Sequence, residues 1–475
     1  MVQAPSLTFP ALLAAAALRA ARLEEDGVLS LAVPLAGLDP LVALPDLGPD
    51  DGFRFLWDGT PGLSIAATGR CQHLELSGPR RFELAQRFTS LCLGRLAADP
   101  FPSPCLARPR VLLAFAFFDT PLQQGTGAPG VQAVLPRWQL SRQGRHCWLR
   151  LQRALGGGVT ARSVAEELWE TARRLESRPG AGAAPGPERS AGGGVGIAHG
   201  SLWQEGYRAA VEQALALVER GELEKLVLAV RQVLRLDRAL DPLRLLAHLR
   251  RSQPGSCRFL WQSAGGEALL GASPERLLTL RQGQLRCDAL AGTAPLGNGA
   301  EELLTSAKDR HEHELVVSTI TAVLRRAGLT PRRPRRPRLA RHGALVHLHT
   351  PITAALGGQQ PLALAEALHP TPAVAGLPRR EAMAWLRSLE PFERGSYAAP
   401  IGWIDSEGDT DLRVAIRSGS LRGDRLELTA GAGLVRGSRP ERELQEVALK
   451  LGVLQQQLNL PAGGPAQAAS RRAIV

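Results

Sequence analysis

Apolar residues recur at three- and four-residue steps through WQEGYRAAVEQALALVERGELE (203–224), where Trp203, Tyr207, Val211, Ala214 and Leu217 form one stripe. That spacing predicts a long amphipathic helix ending at Gly221. The pattern then changes: KLVLAVRQVLRL (225–236) reads as a strand, DPLRLLAHLRRS (241–252) as a helix opened by Asp241 with Pro242 in its first turn, and CRFLWQS (257–263) as a strand. Upstream, VLLAFAFF (111–118) is strand-like and SVAEELWETARRLE (163–176) helical. Downstream, KDRHEHELVVSTITAVLRR (308–326) puts Glu312, Val316, Thr319 and Val323 on one helix face, and ERELQEVALKLGVLQQQL (441–458) predicts a further amphipathic helix. Helices and strands mix without a strict repeat, which predicts an α/β or α+β fold.

The pattern breaks once for long. ESRPGAGAAPGPERSAGGGVGIAHG (176–200) is too rich in Gly, Ala and Pro to pack a core and reads as a linker or long loop. It divides an N-terminal half, 1–175, in which no chemistry is legible, from a region 201–460 that carries the motifs, with 461–475 read as a flexible tail. The opening FPALLAAAALRAARLEEDG (9–27) runs through arginines into acids, as an amphipathic helix does, and reads as that rather than as a cleaved leader. No apolar run elsewhere is long enough to span a bilayer, so no membrane partner is expected.

With 44% hydrophobic and 21% charged residues the composition is globular and excludes a disordered chain. A net charge of +12 favours anionic partners without choosing among nucleic acid, membrane surface and a small polyanion. Cys71, Cys92, Cys105, Cys147, Cys257 and Cys287 are widely spaced, without metal-ligand spacing, and read as reduced core thiols of a cytoplasmic protein. The Arg/Pro stretch PRRPRRPRLARH (331–342) is the candidate for a nucleic-acid surface, but it lacks interleaved aromatics and reads as a solvated loop.

Of 57 Lys plus Arg, only Lys225, Lys308 and Lys450 are lysines. Arginine stays protonated at any working pH, whereas burial can push lysine towards neutrality, so a lysine kept in such a chain is a candidate base. Lys225, at the head of an apolar strand, fits; the bland alternative is a surface charge. Glu275, after Pro274 in GASPERLL (271–278), is either a turn carboxylate or an acid fixed at a cleft wall. Glu312 shares its helix face with apolar residues and needs a cation or donors. His311 and His313 flank it, but adjacent i, i+2 residues diverge on a helix and a zinc site is not expected. Glu446 and Lys450 are by default an exposed i, i+4 pair worth about 0.3–0.5 kcal/mol; with Glu312, the alternative is a pair of carboxylates for a hard cation beside a substrate-binding ammonium. Arg417, in the expected strand RVAIRSGS (413–420), could fork onto a carboxylate, and Gly431, Ala432 and Gly433 could bring backbone N–H groups near one.

In order, KLVLAV, GASPERLL, LAGTA (290–294), KDRHEHELV, LVHLHTPI (345–352), HPTPAVAGLP (369–378), IGWIDSEGD (401–409), AIRSGS, AGAGLV (430–435) and ERELQEVALKL resemble the chorismate-utilising enzymes, and among them the isochorismate synthase group, over roughly 200–458. The resemblance implies two packed antiparallel β-sheets flanked by helices, with the N-terminal half adding strands to the same core. It implies water addition at C2 of chorismate with loss of the C4 hydroxyl, with Mg2+ as cofactor, for menaquinone or phylloquinone synthesis, with siderophore synthesis and the ammonia-using anthranilate and aminodeoxychorismate synthases as the alternatives. Lys225 matches the family's base and Glu275 its acid. Glu312 and Glu446 match magnesium carboxylates, with Glu443 as a partner through water. Lys450, Gly292 and Thr293 match the ring-carboxylate contacts; Arg417, Tyr397 and the Gly431 amide match the enolpyruvyl clamp, and His347 lies beside the ring. Ala373, Val374, Tyr397 and Ile416 are expected where salicylate synthases, which go on to eliminate pyruvate, would differ. A dianionic substrate accounts for the basic charge without nucleic acid, and a monomer is expected.

Overall fold

The strand Val131–Gln143 is where two sheets of the fold meet. Along one edge it pairs with Ser64–Leu76; along the other its first residues pair with Arg110–Phe115 and its last with His146–Ala154. Through Ser64–Leu76 the first sheet continues to Arg54–Asp58, Cys257–Gln262, Ala268–Ser273, Ser418–Arg422, Arg425–Val435 and Lys225–Leu236. Through Arg110–Phe115 the second runs to Pro400–Asp405, Thr410–Val414, Arg276–Arg281, Gln284–Pro295, Leu345–Ala355 and Arg338–His342. These pairings are all antiparallel and close no ring. They belong to a computed structural model that describes residues 8–23, 27–48, 51–59, 61–96, 104–121, 128–177, 197–297 and 299–458.

Phe55, Trp57, Phe259 and Trp261 of the first sheet and Leu112, Ala114, Ile401 and Trp403 of the second form one buried cluster, so the sheets pack face on face. The larger cluster takes in the buried stripes of the helices, among them Val316, Ile320 and Val323 of Ala307–Arg326 and Val447, Leu451 and Leu454 of Pro440–Gln455. The implied architecture is therefore present, and the two sheets are continuous through one strand. N-terminal strands sit inside both: Arg54–Asp58 pairs with Cys257–Gln262, and Arg110–Phe115 with Pro400–Asp405.

Local signals place most elements. Asp241 accepts from the Leu243 amide and opens Pro242–Ser252, and Ser306 accepts from the Asp309 amide at the head of Ala307–Arg326. The strand over 225–236 spans the expected residues, while the preceding helix, Gln204–Glu219, stops just short of Gly221.

Other expectations need correction. Ile197–Gly200, assigned to the linker, pairs with Lys225–Leu236 as an edge strand; 178–196 and the tail 461–475 lie outside the described residues. Arg338–His342, read as solvated loop, is a strand, and Arg333 just before it is 2.8 Å from Glu314. Of the expected core thiols, Cys105 is exposed and Cys71 half-buried; all six are free. No helix among the described residues is long and apolar enough to cross a membrane.

Candidate active site

Two segments cross side by side from one sheet to the other, and each carries a site residue at the crossing. Ala268–Ser273 in the first sheet leads through Pro274 and Glu275 into Arg276–Arg281 in the second, while Thr410–Val414 in the second leads through 415–417 into Ser418–Arg422 in the first. The legs hold each other: the Ala272 amide donates to the Arg417 carbonyl at 3.0 Å and the Val414 amide to the Glu275 carbonyl at 3.2 Å. Arg417 is thus not within a strand, as expected from RVAIRSGS, but at a crossover with φ of 52°, an uncommon conformation for a residue with a side chain. The cavity beside these crossings is walled by Lys225–Leu236 and Arg425–Val435 of the first sheet, Gln284–Pro295 and Leu345–Ala355 of the second, and the helices 307–326 and 440–455.

Glu275 is buried and lines this cavity. Burial pushes its carboxyl up to about 8, against the opposing pull of Lys225, so it holds its proton at neutral pH. The carboxyl accepts a long hydrogen bond, 3.5 Å, from Thr371 Oγ1. Lys225 has no exposed surface, and its Nζ lies 2.9 Å from Glu312 Oε1 without the alignment of a hydrogen bond. Burial raises the Glu312 carboxyl, but Lys225 and Lys308 outweigh it and the net displacement is downward. The room for this pair comes from Gly433, where a Cβ would meet Glu312 Oε1 at 2.3 Å and Lys225 Cε at 3.0 Å.

A second group converges opposite. Gly292, at φ of 70° in a bulge of its strand, turns its carbonyl to His347 Nδ1 at 3.0 Å, and Thr293 Oγ1 is 3.2 Å from the same nitrogen. Burial and the Arg417 charge hold the His347 imidazole neutral, so Nδ1 keeps the proton and Nε2 faces the Arg417 Nη2 at 3.4 Å. The other guanidinium nitrogen, Arg417 Nη1, is buried with no hydrogen-bond partner. Burial lowers Arg417 to about 10, still protonated at neutral pH, and raises the Tyr397 phenol beside it to about 12. An unsatisfied buried guanidinium N–H in a cavity is a site waiting for an anion.

The family description "Chorismate binding enzyme" matches residues 13–459. This chain belongs to that family. A "Salicylate biosynthesis isochorismate synthase" of Pseudomonas aeruginosa is 34% identical over 442 residues, 90% of each chain. The isochorismate synthase DhbC of Bacillus subtilis is 38% identical over 261 residues, 52% of this chain and 66% of that one. Among solved structures, the menaquinone-specific isochorismate synthase MenF of Escherichia coli superposes with a TM-score of 0.73 at 27% identity, covering 94% of this chain and 99% of that one. Anthranilate synthase component I of Streptococcus pneumoniae, at 18% identity and a TM-score of 0.66 over 84% of this chain and 93% of that one, shares the fold.

In this member of the chorismate-binding family the three carboxylates expected to serve a magnesium ion are each paired with a lysine. Glu312 has Lys225; Glu446 Oε1 is 2.5 Å from Lys450 Nζ; Glu443 Oε1 is 3.0 Å from Lys308 Nζ. All three lysines of the chain are spent on these glutamates. Among the described residues no three acidic, His or Cys side chains are gathered tightly enough to form a ready cation cluster. The donor set still fits a hard cation that keeps most of its waters and asks for one or two carboxylates. Glu443 Oε2 in addition is buried without an aligned hydrogen bond, although Ser438 lies beside it.

The cavity brings together Glu275, Gly292, Thr293, Glu312, His347, Tyr397, Arg417, Gly431, Glu446 and Lys450, with Lys225 and Glu443 packed behind it. Ala373, Val374 and Ile416 line it as expected. Gly431 contributes its carbonyl, 2.8 Å from Lys450 Nζ. His311 is exposed while buried His313 pairs with Thr350 Oγ1 at 2.8 Å. Three roles escaped the sequence: Gly433 as clearance for the ion pair, Thr371 as the Glu275 partner, and Lys308 as the Glu443 partner. The small-x-small alternation of GAG was a visible signal for the first; nothing local pointed to the others.

Proposed function

We propose that this chain is an isochorismate synthase that uses Mg2+ to convert chorismate to isochorismate. The observation that supports this most is the juxtaposition of Glu275, protonated at neutral pH, with a buried lysine whose charge it feels, in one cavity with the unsatisfied Arg417 guanidinium. Arg417, with Tyr397 and the Gly431 amide, takes the enolpyruvyl carboxylate, while the Gly431 carbonyl holds Lys450, and His347 borders the ring. Gly292, Thr293 and Lys450 face the ring carboxylate. Lys225, the buried group beside Glu312, takes a proton from water as the oxygen bonds to C2. The ring double bonds shift, the C4–O bond breaks, and Glu275 delivers its proton to the departing hydroxyl. One water enters and one leaves, so the reaction is an isomerisation. Transfer of the proton from Lys225 back to Glu275 resets the pair. Glu312 and Glu446, with Glu443 beside them, would hold Mg2+, which would supply positive charge for the ring carboxylate.

Incubation of the purified protein with chorismate and Mg2+, with and without ammonia, tests this reading. Isochorismate without pyruvate is expected; salicylate with pyruvate, or an aminated ring, would overturn it. For the pathway, quinone synthesis is the reading carried forward, with the E. coli structural neighbour in its support. The name of the P. aeruginosa relative, aligned over nine-tenths of both chains, favours salicylate production as the second reading. Complementation of a quinone-deficient and of a siderophore-deficient strain separates them.

A further inference from the structure

Lys308 has no part in the chemistry proposed above, yet it is the most exposed to solvent of the three paired lysines. Its side chain is 27% exposed, against 17% for Lys450 and 0% for Lys225, while its partner Glu443 is 2% exposed. It lines a vestibule of about 440 Å3, with Asp309, Arg439 and Arg442, that shares Thr293 and Glu446 with the site cavity. The other two lysines are committed inward, Lys450 also to the Gly431 carbonyl and Lys225 beneath Gly433. Among the described residues the Lys308 ammonium pairs with carboxylates, Glu443 Oε1 at 3.0 Å and, more loosely, Asp309 Oδ1 at 3.9 Å.

Glu443 and Glu446 are one turn apart on Pro440–Gln455, and Glu312 faces them from Ala307–Arg326; the Lys308 ammonium feels all three. Three carboxylates gathered this way, two of them buried, repel each other unless cations accompany them. Three lysines bring the set to neutrality. A dication added to that neutral set leaves two positive charges in surplus, and the ammonium with a solvent route is the one free to withdraw. Lysine suits this better than arginine: a compact charge on a flexible stem detaches where a guanidinium fork would grip the carboxylate. In a chain that otherwise writes arginine, that choice has a physical reason.

We propose that Lys308 is a built-in counter-cation, holding Glu443 in the metal-free protein, competing with the divalent ion for the site and setting the concentration at which it loads. The inference rests on the magnesium reading of Glu312, Glu443 and Glu446.

The test is direct metal binding to the full chain stripped of metal, read by the electron paramagnetic resonance of free Mn2+ and by calorimetry with Mg2+. Lys308→Gln is expected to bind Mn2+ more tightly, on the order of tenfold, because one competing charge is gone. Its metal-free form should melt lower than wild type, and saturating Mg2+ should narrow the gap. Lys308→Arg, which keeps the charge, should bind no tighter than wild type. Unchanged or weaker binding in Lys308→Gln overturns the inference while leaving the magnesium reading intact, as does tighter binding in Lys308→Arg. If the wild-type chain binds no divalent ion that Glu446→Gln abolishes, the magnesium reading itself fails and this inference with it.

Discussion

Gly433 faces Glu312 so closely that a single added carbon would lie 2.3 Å from the Glu312 Oε1. The strand Arg425–Val435 therefore runs under the Lys225–Glu312 pair with no room for any side chain at that position. Gly433→Ala must push the pair aside, and overpacking of this kind costs about 1–3 kcal/mol. Thermal melts should show a lowered Tm, and steady-state assays a kcat loss larger than any change in KM.

Lys225 is fully buried against Glu312, so its replacement has two separable effects. Lys225→Met removes the proposed base and strands a buried carboxylate, a change that costs about 3–5 kcal/mol when one partner of a buried pair is lost. Lys225→Arg keeps the charge but cannot accept water's proton. Both should be inactive. Only Lys225→Met should be markedly destabilised, as read by urea unfolding; turnover near wild type in Lys225→Arg would remove Lys225 as the base.

Glu275 titrates near 8 in the fold because of burial, against an ordinary value of 4.5. As a proton donor it should lose activity as pH rises through about 8, and Glu275→Gln should be inactive. The linkage has the same origin. Between about 4.5 and 8 the folded chain holds a proton that the unfolded chain releases, so this group makes stability fall as pH rises across that window. Denaturation of Glu275→Gln at pH 5 and pH 8 should show a smaller pH slope than wild type.

The orphaned Arg417 Nη1 makes a clear expectation about binding. Arg417→Lys loses the fork and the contact to His347. KM for chorismate should rise at least tenfold, with a smaller effect on kcat. An equal KM in that variant would place the enolpyruvyl carboxylate elsewhere.

Arg394 and Glu390 are both about 1% exposed and 2.5 Å apart, and Arg394 also donates to the carbonyls of Val227 and Val374, two residues that line the cavity. Arg394→Leu strands Glu390 and releases both walls. About 3–5 kcal/mol of stability should be lost, and the double variant Arg394→Leu/Glu390→Leu should recover part of it in the same unfolding assay.

Local order was legible along the chain because its causes are local. The strand 225–236 could be read from its apolar run, and the helix 242–252 from Asp241, Pro242 and its spacing, since capping and periodicity act within a few residues. The ordered motifs named the site residues, and the cavity gathers most of them. Tertiary structure alone decided how they meet. Arg417 belongs to a crossover because two sheets share Val131–Gln143, a pairing set by long-range register rather than by its own neighbours. Lys308 reaches Glu443 across 135 residues of sequence, and Lys225 reaches Glu312 from another element altogether. Composition singled out three lysines as unusual. That each stands against one carboxylate of the site follows from charge balance where carboxylates crowd together, and such a balance exists only once distant segments have packed.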